Sequence, residues 1–150
     1  MGRAVTVISR AGLIAGTLDI TDAFVFFGLR GVKPIRILHS IASGLLGPAA
    51  FKGGLRTAAL GLALHFLIAF TAAAVYYAAS HELRFLVRYA VVSGLLYGGA
   101  VYLFMVRIVL PLSSVTRSPS TSMPVLVNGV LAVVLLVGLT IALVVHRYSR

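Results

Sequence analysis

The sequence predicts an all-α protein: a four-span transmembrane helical bundle with an amphipathic or re-entrant segment between spans one and two. Three observations predict it. Apolar residues make up 60% of the 150 residues, and the mean hydropathy is +1.06. Charged residues are only 11%, against roughly a quarter in a soluble domain. The charges that exist leave several uncharged runs near the length, about 20 helical residues, that crosses a bilayer core.

The first span is expected over residues 5–29. It carries Arg10, Asp19 and Asp22, but its middle from Ala11 to Leu18 is uncharged. A signal peptide is the alternative. Two aspartates interrupt the apolar stretch and no Ala-x-Ala site follows, which favours a retained span. The second span, 57–80, is apolar apart from His65, with Tyr76 and Tyr77 near its end, where amphipathic rings suit the headgroup level. The third is expected over 85–110, with Pro111 as its stop. The fourth is expected over 123–145, with Ser122 as cap and Pro124 in the first turn.

Between spans one and two, residues 34–46 form a shorter amphipathic pattern. Ile37, Leu38, Ile41 and Leu45 share one side, while Arg36, His39, Ser40 and Ser43 occupy the other. Pro34 suits a helix start, and Gly44, Gly47 and Pro48 suit its end. The segment is too short to span. An interfacial helix is the main reading, and a re-entrant half-helix against the bundle is its competitor. The Gly-containing run GLLGPAAFKGG has no phosphate-loop spacing. Residues 112–122 are rich in Ser and Thr and read as a flexible connection.

The net charge is +10. Basic residues flank the apolar runs, so the expected partners are membrane lipids with anionic headgroups rather than nucleic acid. The absence of cysteine excludes disulfides, thiolate metal sites and cysteine nucleophiles. Four spans place both termini on one side, here called the terminal side. It carries Arg3, Arg10, Arg84, Arg88, Arg147 and Arg150. The opposite, loop side carries Arg30, Lys33, Arg36, Lys52, Arg56, Arg107 and Arg117. That balance does not decide orientation by the positive-inside rule. The terminal amine tips the expectation to cytoplasmic termini, with dual topology as the alternative.

Depth groups the polar residues. At a rise of about 1.5 Å per residue, Asp22 lies about 10 Å, Asp19 about 15 Å and His65 about 13 Å inside the loop side. Tyr102 lies about 12 Å, Asn128 about 8 Å and Arg107 about 5 Å from the same side. Asp19, Asp22, His65, Tyr102, Arg107 and Asn128 therefore form a candidate intramembrane polar cluster. The two aspartates are three apart, on one helix face. Carboxylates in hydrocarbon must pair, neutralise or face water. Depth suggests Asp19 with His65, Asp22 with Arg107, and Asn128 with either acid. No cofactor or metal is expected: one deep histidine does not make a bis-histidine haem site, and no spaced metal motif is present.

Gly12 and Gly16, and Gly94 and Gly98, make two GxxxG patterns that allow close helix packing. Ala69 and Ala73 repeat that spacing in span two.

The segment LIAGTLDITDAFVFFGLRGVKPIRILHSIASGLLG, followed by AALGLALHFLIAF and SGLLYGGAVYLFMVRIVLPLS, resembles small bacterial inner-membrane proteins of the YagU-like group over roughly Leu13 to Ser114. The resemblance implies a bacterial plasma membrane, a four-helix protein, and Asp19, Asp22, His39, His65 and Arg107 as candidate functional positions. It implies no reaction. No hydrolase elbow, kinase loop or dinucleotide fingerprint is visible, so enzymatic activity is not expected. The expected role is movement of a small solute, ion or proton through a buried polar site, in a homo-oligomer. The alternative is a structural or regulatory subunit beside a larger membrane partner.

Overall fold

A computed structural model describes residues 2–114 and 122–149. Most of the Ser/Thr-rich connection, with Arg117, lies outside the described residues, as does Arg150. Among the described residues there is no strand. Four helices are long and apolar enough to cross a membrane: α1 (Gly2–Gly28), α3 (Gly54–Glu82), α5 (Ala90–Leu112) and α6 (Met123–Tyr148). Helix α2 (Pro34–Leu46) and a 3₁₀ turn (Gly47–Lys52) link α1 to α3, and the short α4 (Arg84–Arg88) precedes α5. The chain is a multi-pass membrane protein with four spanning helices.

The turn from α1 into α2 follows from two residues. Gly31 takes φ +82°, its N–H donates to the Gly28 carbonyl at 2.9 Å, and the Val32 N–H donates to Phe27 at 3.0 Å. This pair of bonds closes the carbonyl end of a helix where glycine bears the left-handed conformation. Three residues later Pro34 opens α2, where its missing N–H is not needed.

The order across the bundle is α2, α3, α1, α6, α5, with each helix packed mainly on its neighbours in that series. Glycine sets two of those contacts. On the α1–α3 seam, a Cβ on Gly16 would stand 2.9 Å from the Phe66 ring and 3.1 Å from the Ala69 Cβ. On the α5–α6 seam, one on Gly98 would stand 2.6 Å from the Val134 Cα and 2.9 Å from its carbonyl oxygen. One on Gly138 would collide with backbone atoms of Gly94 and Gly98. Such approach brings whole backbones into dispersion contact, which is what holds helices together once lipid removes the hydrophobic drive.

Three details depart from the sequence reading. The third span begins later, because the backbone breaks at Leu83 and Tyr89 and sets α4 apart. Pro111 does not stop α5, which continues to Leu112. A wide turn over Met105–Val109, with the Leu110 N–H on the Met105 carbonyl, lies where the Pro111 ring would otherwise meet the Arg107 carbonyl. A second wide stretch, Ala132–Leu139, runs through the tight Gly138 contact, and Thr140 Oγ1 donates to the Leu135 carbonyl at 3.4 Å.

Helix α2 also faces differently from its amphipathic pattern. Ile37, His39, Ala42 and Ser43 are buried, while Leu45 is 60% exposed. The reason lies in α3. Gly61 has no side chain, so the Leu38 carbonyl of α2 sits directly against it. His39 Nε2 then reaches the Gly54 carbonyl at 2.8 Å. The other end of α2 is held by the Ser114 N–H, which donates to Gly44 at 2.9 Å.

Candidate functional site

The site is built on the second and third turns from the carbonyl end of α1. Asp19 and Asp22 lie three residues apart there, so their side chains share a face. Helix α3 runs antiparallel alongside, and its Ala69–Gly16 contact fixes the register that brings His65 level with Asp19. His65 Nδ1 lies 4.0 Å from Asp19 Oδ2, and His65 Nε2 lies 2.8 Å from the Gly16 carbonyl oxygen. On the other flank of α1, Asn128 Nδ2 of α6 donates to Asp22 Oδ2 at 2.8 Å. Three spans thus meet through two carboxylates. The chain holds only three acidic residues, and two of them are here.

Hydrogen-bond logic restricts what the His65–Asp19 pair can do. A carbonyl only accepts, so Nε2 carries a hydrogen for Gly16. Nδ1 and Asp19 Oδ2 then face one another with room for one shared proton. With the proton on Nδ1, the pair is imidazolium and carboxylate; with it on Oδ2, both groups are neutral. The separation is about 1 Å beyond a hydrogen bond, so transfer needs a small closure or one bridging water.

Exposure at the site is graded. The His65 side chain is 13% exposed and that of Asp19 is 25% exposed. The surrounding helices bury little. Along α1 beyond Ile20, along α3 from Leu62 to Ile68, along α5 beyond Gly98, and along α6 from Met123 to Leu131, no residue is buried.

The remaining expected site residues are placed as follows. The Tyr102 ring packs beside Gly129, 3.7 Å from where a Cβ would stand, and its hydroxyl has no partner among the described residues. Arg107 is exposed and makes no ion pair with Asp22. The acid takes Asn128 instead, because depth along a helix says nothing of rotation around it. Among the described residues the one ion pair is His65 with Asp19, and no three His, Cys, Asp or Glu side chains converge as metal ligands. Of the expected interfacial group, Arg36 is exposed over the Phe51 ring, 5.5 Å from its centre, and Ser40 is exposed. His39 and Ser43 are buried, Ser43 Oγ donating to the Ser40 carbonyl at 2.6 Å.

Sequence reasoning missed a second polar layer nearer the terminal side. Tyr97 Oη donates to the Ala72 carbonyl at 2.7 Å, and Tyr76 Oη donates to Leu86 at 3.0 Å. The two rings meet edge to face, 5.0 Å between centres. Their acceptors are backbone carbonyls, which carry no residue-type signal; the hint was Tyr97 in the middle of a span, while Tyr76, expected at the headgroup level, is buried in the core instead.

No family model, curated protein or solved structure matches the chain.

Proposed function

We propose that the chain is a small multi-pass transport protein of the bacterial inner membrane that moves a proton, ion or small solute through the loop-side half of the bundle. The observation that carries this reading is the His65–Asp19 pair. Gly16 holds one ring nitrogen, and the other faces a carboxylate one quarter exposed, with a single proton to share. Such groups inside spans are costly and normally serve a water-filled path or a relay. The proton is the species this geometry suits best. Asn128 holds Asp22 as an acceptor beside the relay, a second carboxylate to balance a passing positive charge. A lone bundle of four helices leaves little room for a wide channel, so the working form is a homo-oligomer, with cytoplasmic termini.

The test is proton flux into proteoliposomes carrying a pH-sensitive dye, driven by an imposed gradient. Wild-type protein is expected to dissipate the gradient, and Asp19→Asn to lose most of that flux while keeping its helical spectrum. Flux indistinguishable from protein-free vesicles overturns the reading. The same hydrogen bonds between α1, α3 and α6 support a second reading, a structural or regulatory subunit. Co-purification of one larger membrane partner, with no intrinsic flux, would favour it.

A further inference from the structure

The terminal-side end of the molecule carries a different kind of site. The ends of α1, α3 and α6, together with α4, enclose an open cavity of about 530 Å³. Three arginines line it: Arg3, Arg84 and Arg88. Arg84 and Arg88 are one helical turn apart and so project from the same face of α4. Among the described residues none of the three pairs with a carboxylate, and Glu82, the one acidic side chain nearby, is exposed and makes no ion pair. Arg3 is anchored at the Tyr148 carbonyl, and a guanidinium fork has further donors to offer beyond that bond.

The rest of the lining suits an oxyanion ligand. His81 stacks edge to face on Tyr77, 4.6 Å between centres, which orders both rings at the rim. Planar guanidinium groups bind phosphate oxygens in bidentate fashion. Arginines at a cavity, with no carboxylate partner among the described residues, therefore attract a phosphate-bearing group.

The position of the cavity says where that phosphate comes from. It lies at the ends of three spans, the level of lipid headgroups. A second cavity of about 380 Å³ shares His146 with it and is lined otherwise by Leu143, Val144 and Arg147. Leu143 is 44% exposed on a span. The basic cavity thus opens beside an apolar helix face that an acyl chain can follow. A free phosphate ion has no use for that face. We infer that this cavity binds the headgroup of an anionic phospholipid, its phosphate held by Arg84, Arg88 and Arg3 and its acyl chains lying along Leu143 and Val144 of α6.

The experiment is native mass spectrometry of the intact, detergent-purified chain with phosphatidylglycerol or with phosphatidylcholine of the same acyl chains. The expected result is one phosphatidylglycerol retained with about tenfold or greater preference over phosphatidylcholine. Arg84→Gln with Arg88→Gln is expected to remove that preference. Both side chains are exposed, so the helical spectrum should be unchanged. Arg88→Lys keeps the charge but not the fork, and should weaken retention by a smaller factor. Lys52→Gln with Arg56→Gln, at the opposite end, should leave it intact. Equal retention of the two lipids overturns the inference, as does full retention by both α4 variants. Displacement by excess inorganic phosphate would overturn the lipid assignment in favour of a free-anion site.

Discussion

The two halves of this bundle are built on different terms. In the terminal-side half, Val7, Ala11 and Ala15 of α1, Ala73 and Tyr76 of α3, and Ile141 and Val145 of α6 form one closed core. Gly94, Gly98 and Gly138 bring α5 and α6 into backbone contact beside it. In the loop-side half the same helices bury almost nothing against each other. They are joined instead by side-chain polar contacts, His65 to Gly16 and Asp19, and Asn128 to Asp22. The two halves divide the labour. Close packing holds the bundle at one end, which frees the other to keep ionisable groups partly exposed. Net gains from polar contacts inside membranes are modest, so a half joined by them is the half that can open.

The comparison breaks most readily at the α5–α6 seam. Gly138→Ala puts a methyl into the backbone of Gly94 and Gly98, which cannot move aside as a flexible side chain would. It should destabilise the detergent-solubilised protein by about 1–3 kcal/mol or more. Gly99→Ala, with nothing within 4 Å of the added carbon, should change stability by less than about 0.5 kcal/mol. Equal effects in denaturant unfolding would deny that this seam carries the fold. Tyr97→Phe removes the bond to Ala72 and should cost about 1 kcal/mol. Asn128→Leu, in the open half, should cost no more than that, yet should reduce flux, because Asp22 loses its donor. A large stability loss with unchanged flux would reverse the roles assigned to the two halves.

The spans were legible because uncharged runs of sufficient length have few alternatives to a membrane helix. The start of α2 was legible in Pro34 for a local reason, whereas Gly31, which closes α1, went unread. Depth also grouped the polar residues, since antiparallel helices share one rise per residue. It brought His65 level with Asp19, and the structure places them 4.0 Å apart. Depth failed for Arg107 because rotation about α5 depends on the wide turn at Met105–Val109, which propensity does not foretell. The buried face of α2 was hidden for another reason. An amphipathic pattern assumes water on one side and protein on the other, whereas near a bilayer Leu45 has lipid available, and His39 finds a carbonyl in α3. Gly138 went unread because its partners lie on another helix, forty residues away in sequence.

On the proposed reading, water reaches the Asp19–His65 pair while the other half stays sealed. The chain has no cysteine, so a single Asp19→Cys variant can be probed in reconstituted, folded protein with a membrane-impermeant thiol reagent added to each side in turn. Ala132→Cys, at a buried position of α6, reports nonspecific access. Labelling is expected at position 19 from the loop side only, and none at position 132. No labelling at position 19 from either side, with the fold intact, would contradict it and leave the cluster a dry structural contact.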